Sequence, residues 1–411
     1  MDSIPQHEDA PVREINGSTD TRQVFANAWK ETKARGGFSD VLVVDVDAHC
    51  YETDSWDELI EYIPDEVIQF NAASFKDNRG RPASGIIQTA GYPNYQRANG
   101  RITYGRSYPE EGESVTLARA RAGMDAMGID YSVVFPTPLL SLGMHRQTIV
   151  ENNIAWAYNQ WMIERVCAEE KRVKSLVYLP FNDPEACERV IETQTDHDGV
   201  CGAMITSVRH KPVHHNSYMR LYAMLEERGL PLMFHAGPHW EESGYVAQLN
   251  QFIGAHAISF VLCNMVHLTN WVLNGLPERF PKLKVGWIES GISWTGFMAT
   301  RLDSEYMMRT SEAPLLKRLP SEYMREMFYS TQPMERSNMK LLEANFDLID
   351  AKNSVLYASD WPHWDFDMPG TIWDLPFLDE QAKRNILGLN SAKLFGIDPK
   401  PLKQSVPAAA E

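Results

Sequence analysis

Val41-Leu42-Val43-Val44-Asp45-Val46-Asp47-Ala48-His49 is an apolar run that ends in two acids and a histidine. Its β-branched residues favour an extended strand. Side chains two apart on a strand share a face. The spacing therefore predicts Asp45, Asp47 and His49 in a row along one side. A run apolar at consecutive positions suits a parallel strand covered on both faces. Burying such a polar row without partners is costly, so partners or a metal ion are expected. Carboxylate oxygen next to imidazole nitrogen makes a two-donor clip for a divalent ion.

Outward from this stretch, short apolar runs alternate with helical patterns. The runs are 41–47, 131–135, 175–180, 200–206, 231–235, 283–289, 327–331 and 354–360. Helical stretches lie between them at 152–170, 183–193, 217–227, 294–308 and 335–345. Eight strands alternating with helices predict an α/β fold, a (β/α)8 TIM barrel. Residues 39–400 read as one barrel domain built around a metal. A polar arm, 1–38, precedes it and is expected to pack loosely; a tail, 401–411, follows. Residues 64–115, rich in Gly, Asn, Arg, Tyr and Pro, break the rhythm. They read as an insertion after strand 1 that shapes or lids the pocket, or else as a surface excursion or dimer arm.

Barrel sites are built at the carboxyl ends of the strands. Strand one supplies Asp47 and His49, with Glu52 just beyond. Strand two runs into Pro136-Thr137-Pro138, strand five ends in His235, strand six in Glu289, and strand eight in Asp360-Trp361-Pro362-His363. Asp47, His49, His235 and Asp360 read as ligands of a divalent metal; the alternative is a buried hydrogen-bonded polar layer. Asp45 reads as orienting a ligand imidazole. Glu289 is a ligand, a general base or a helix-capping carboxylate. Glu52 is a ligand or the cap of a helix near Ser55. His256 and His267 lie eleven apart, on one face if their segment is a single helix. His363 ligates, donates to substrate or packs on Trp361. Arg209 and His210 follow strand four and pair a substrate carboxylate or make a surface salt bridge. Trp361 lines an apolar substrate pocket or fills the core.

The chain has 411 residues, 44% hydrophobic and 23% charged, enough for a large core. A net charge of -16 without a basic stripe argues against nucleic acid and anionic membrane as partners. The five cysteines are odd in number and lack C-x-x-C spacing, which argues against a disulfide framework or structural zinc module and fits a reducing cytoplasm. The first residues show no basic start followed by an apolar core, so no signal peptide is expected. No run reads as long and apolar enough to cross a membrane. A homo-oligomer is the expectation from the frequency of two-fold symmetry.

The strand-end set resembles the amidohydrolase superfamily, in the branch related to aminocarboxymuconate semialdehyde decarboxylase. That branch carries Asp-x-His-x-His on its first strand, a His after the fifth and an Asp after the eighth. Here Asp45-Val46-Asp47-Ala48-His49 matches with one His replaced by Asp47, and His235 and Asp360 match the rest. GLPERFPKLK at 275–284 and NILGLNSAKLFG at 385–396 are also similar to that branch. The decarboxylase has a catalytic His after its sixth strand, where this chain has Glu289, and no Lys ends strand four to bridge two metals. The resemblance implies metal-dependent hydrolysis or decarboxylation of a small carboxylated or carbonyl substrate. Asp47, His49, His235 and Asp360 would hold zinc or manganese, Asp360 or Glu289 would move the proton, and His256 or His363 would assist. Some members of the branch are dinuclear oxygenases, so a second reading has two iron or manganese ions held with Glu52, His256, Glu289 and His363. A third is a non-catalytic subunit of a heteromeric partner.

Overall fold

The computed structural model describes residues 21–74, 114–206, 211–235, 237, 248–249, 251–363 and 365–402. Eight parallel strands follow one another in chain order around one sheet. They are β1 Val44–Cys50, β2 Tyr131–Pro136, β3 Val173–Tyr178, β4 Val200–Ile205, β5 Leu232–His235, β6 Val285–Ile288, β7 Phe328–Ser330 and β8 Val355–Leu356. The last joins the first through three backbone hydrogen bonds. Val46 N donates to Tyr357 O (3.0 Å), Asp360 N to Asp47 O (2.7 Å) and His49 N to Trp361 O (2.7 Å). The expected (β/α)8 barrel is present, and every strand falls on an apolar run.

One irregularity in β1 changes what its pattern delivers. Asp45 pairs with Ser132 of β2, but Ala48 pairs with Val134, so three steps along β1 match two along β2. This bulge reverses the alternation between Asp45 and Ala48. Asp47 and His49 share a side, as expected, and Asp45 does not join them.

Helices cover the barrel's outside. The Asp183 side chain accepts from Ala186 N to start the helix Pro184–Gln194, and Asn338 accepts from Leu341 N to start Met339–Leu348; each cap satisfies one otherwise orphaned N–H. Between β5 and β6 runs Phe252–Leu273. Contrary to the expectation from sequence, its stretch Ile253–Leu273, at mean hydropathy 1.2, is long and apolar enough by composition to cross a membrane. In the fold it serves as a barrel helix: Leu268, Trp271 and Val272 are buried, and Asn264 Nδ2 donates to Ile288 O and Ser290 Oγ at the end of β6.

The polar arm is docked along its second half. Thr21–Ala34 is helical, Thr32 Oγ1 donates to Ala126 O of the helix Val115–Met127, and Ala28 and Phe38 are buried. Of the insertion at 64–115, residues 75–113 lie outside the described residues.

Candidate metal centre

Asp47 and His49 on β1, His235 ending β5, Glu289 after β6 and Asp360 after β8 meet at the carboxyl end of the barrel. His49 Nε2 lies 3.3 Å from Asp47 Oδ1, 3.3 Å from Asp360 Oδ1 and 3.7 Å from Glu289 Oε2. His235 Nε2 lies 3.3 Å from Asp47 Oδ1 and 3.0 Å from Glu289 Oε2. The two imidazole Nε2 atoms face each other at 3.3 Å. Two overlapping donor sets result: Asp47, His49, His235 and Glu289, and His49, Glu289, Asp360 and His363.

These groups fit a cation. Both oxygens of Asp47, Glu289 Oε2 and Asp360 Oδ2 are buried and accept no hydrogen bond. Buried acceptors are normally satisfied, and leaving them bare costs several kcal/mol, on the order of 1–3 each. Three carboxylates and two imidazoles converging on one point is a donor set for zinc, manganese or iron.

The electrostatics agree. Burial disfavours charge on Asp47, yet His235 and His49 hold its carboxyl below the usual range. Burial likewise works against charge on His235, but Asp47 and Glu289 lift it to about 10. Burial holds His49 down and pushes Glu289 up to about 7. Burial, then the charges of Glu289, Asp365 and Asp47, keep Asp360 well above the carboxylate range.

Backbone geometry aims two of the acids. Glu289 has φ 52° and Asp360 φ 60°, both in the left-handed region. For residues with a Cβ this costs roughly 1–2 kcal/mol each. Glu289 N donates to Ser330 Oγ (3.0 Å). Asp45, turned aside by the bulge, is the anchor for the other loop. It accepts from Ser359 N (2.8 Å), Ser359 Oγ (2.5 Å) and Asp47 N (3.1 Å), and touches neither ligand imidazole in these bonds. Burial pushes its carboxyl up to about 7.

The remaining candidates divide. His363 is at the centre: its Nδ1 is 2.6 Å from Asp360 Oδ1 and its ring lies 4.3 Å from that of His49. Glu52 is in neither donor set. It accepts from Thr137 N (3.1 Å) and Leu139 N (2.8 Å), capping the turn after β2. His256 stands beside Asp365 at 3.8 Å, also outside both sets. Trp361 is buried against Gly123, where a Cβ would run into its indole, and edge-on to Phe366 at 5.0 Å; it forms a wall between β1 and the outer helix. Arg209 lies outside the described residues. Sequence reading passed over Thr137, whose Oγ1 bridges His49 Nδ1 (3.3 Å) and His363 Nε2 (3.1 Å). It follows β2 directly, so the strand-end rule that found the ligands could have found it.

Comparison with known proteins places the chain. The family model described as amidohydrolase matches residues 44–397. The gamma-resorcylate decarboxylase of Polaromonas sp. (strain JS666) is 20% identical over 258 residues, covering 60% of this chain and 77% of its own. Among solved structures, an amidohydrolase of Mycobacterium avium subsp. paratuberculosis superposes with TM-score 0.67 at 18% identity, over 87% of this chain and 99% of that one. A dihydroxybenzoic acid decarboxylase from Polaromonas sp. JS666, solved with manganese and the inhibitor 2-nitroresorcinol, gives TM-score 0.61 at 16% identity, over 87% and 97%.

Proposed function

Because the chain belongs to the amidohydrolase family, and is an enzyme of it, we propose that it is a metal-dependent decarboxylase of a small hydroxylated aromatic carboxylate. The observation that carries the reading is the set of buried oxygens on Asp47, Glu289 and Asp360 that accept no hydrogen bond, facing the Nε2 atoms of His49 and His235. The decarboxylase relatives support this reaction over hydrolysis of a carbonyl substrate. Asp47, His49, His235 and Asp360 are the residues that would hold manganese or zinc, with Glu289 beside them. When bound, such an ion fixes a substrate carboxylate and polarises the oxygen beside it.

The chain's own groups handle the proton. With Nε2 turned toward Asp47, Glu289 and Asp360, His49 carries its proton on Nδ1 and donates to Thr137 Oγ1. The Thr137 hydroxyl then donates to His363 Nε2, and His363 Nδ1–H donates to Asp360 Oδ1. This chain fixes both rings and the Asp360 carboxyl. Glu289 stands where the aminocarboxymuconate semialdehyde decarboxylase pattern has its His. Its carboxyl, raised to about 7 by burial, supplies the proton that replaces the departing carboxylate on the ring carbon, with CO2 leaving.

Loading the protein with manganese and adding 2,6-dihydroxybenzoate and related hydroxybenzoates tests this. CO2 release is expected, and chelation should abolish it. His235→Ala should retain no metal by elemental analysis. Glu289→Gln should keep metal and lose activity by about 100-fold or more, the usual scale for a proton donor. Absence of CO2 release with every metal tried would end the decarboxylase reading.

A second reading has a specific observation behind it: the two donor sets share His49 and Glu289, leaving Asp360 and His363 to help hold a second ion. Two metals per chain, iron among them, together with dioxygen uptake would favour hydroxylation instead.

A further inference from the structure

Beside the metal centre stands a polar pair that the reaction above does not use. Gln332 follows β7 and is fully buried. Its Nε2 donates to Asp365 Oδ2 at 3.2 Å and approaches Asp365 O at 3.5 Å. A carboxylate only accepts, so the amide nitrogen must face Asp365 and the amide oxygen is left over. Gln332 Oε1 and Asp365 Oδ1 are both buried and accept no hydrogen bond among the described residues. His256 Nε2, 3.8 Å from Asp365 Oδ2, is beyond hydrogen-bond reach of it. Gln332 O accepts from Gly291 N at 3.3 Å, two residues past Glu289, and the Asp365 side chain is 16% exposed. The pair therefore lies beside the turn that carries Glu289. It presents oxygens only.

We propose that Asp365 and Gln332 form an acceptor-only subsite that selects substrates bearing an O–H or N–H donor on the part of the molecule away from the metal. The inference deepens the decarboxylase reading and rests on it for the position of the substrate carboxylate. A fixed acceptor pair rewards a hydroxyl or amino group and penalises an ether or hydrogen in its place, because the acceptors then stay buried and unpaired. A carboxylate acceptor also favours a cationic or acidic donor over a neutral one. Substrates with a phenolic hydroxyl or ring amine in addition to the carboxylate meet these demands.

Calorimetric titration of the manganese-loaded protein with matched probes tests the proposal. The probes are benzoate, 3- and 4-hydroxybenzoate, 3- and 4-aminobenzoate, and 3- and 4-methoxybenzoate. At least one hydroxy or amino isomer should bind about tenfold or more tighter than its methoxy partner, the scale of one charge-assisted hydrogen bond. Asp365→Ala and Gln332→Met should each erase that preference and weaken the favoured hydroxy or amino isomer more than benzoate. Equal affinity for hydroxy and methoxy partners, or preference retained in both variants, would overturn the subsite. If no benzoate binds at all, the decarboxylase reading fails. Phenol against anisole, and aniline against N,N-dimethylaniline, then judge the subsite without a carboxylate, and a lack of preference in these pairs overturns it.

Discussion

Glu289 and Asp360 show what a single residue is asked to do here. Each holds a left-handed backbone conformation that its Cβ disfavours, and each aims a buried carboxylate at the same point. A bound cation would offset both costs. Asp360→Gly relieves the strain and removes the buried acid, so the chelated variant should melt at a higher temperature than the chelated parent. It should also lose the stabilisation that metal gives the parent, which scales with metal concentration over its dissociation constant. A variant that melts lower without metal would show that the Asp360–His363 contact outweighs both costs. Behind the ligands, Ser359→Ala deletes one hydroxyl donor to Asp45. We expect a loss of about 1 kcal/mol in urea unfolding and a drop of about tenfold or more in metal affinity, as for other groups that orient ligands. The residues that converge at the candidate centre were legible in sequence because they sit at the ends of apolar runs. Asp365 and Gln332 were not: one lies in the loop after β8 and the other just past the short strand β7, and neither belongs to a periodic pattern.

Elements were legible where burial on both faces left an unbroken apolar signal, as in all eight strands. They were less so where a local event overrode the period. The bulge in β1 is such an event. Nothing in Val-Asp-Val-Asp announces it, because alternation is a property of a regular pairing and the pairing is set by β2. Its effect is to split one predicted row of three into two ligands and one anchor. The helix Phe252–Leu273 was obscured for the opposite reason: it is apolar nearly all round and lacks the stripe that marks an amphipathic helix. Glu52 stayed open in sequence because strand-end acids can serve a turn as well as a metal; in the fold it accepts from Thr137 N and Leu139 N. One element contact is open to a direct test. The helix Val115–Met127 presses Gly123 against Trp361, whose carbonyl holds His49. Gly123→Ala should destabilise the protein by about 1–3 kcal/mol through overpacking. It should also weaken metal binding although it lies outside the centre; an unchanged metal dissociation constant would show that the indole yields without moving β1.

For the whole molecule, buried acids set the response to pH. Burial raises Glu151 from 4.5 to about 7 and Glu52 to about 8. The folded chain thus binds these protons more tightly than the unfolded one. The stability they lend is complete below about pH 4.5 and is lost as pH rises through about 7 to 8. Urea midpoints should fall over that interval, and Glu151→Gln should remove part of the fall, worth about 3 kcal/mol at pH 8. A variant with an unaltered slope would place the effect elsewhere. The barrel's closure has a further consequence. Asp45 and Ser359, the pair that secures the seam, are 314 residues apart, and the site's ligands lie on both sides of that seam. A nascent chain still threaded through the ribosome cannot assemble this centre until the segment after β8 has emerged. A copy not yet extended past β8 therefore lacks the Asp360 and His363 donors and offers at most the set on β1, β5 and β6.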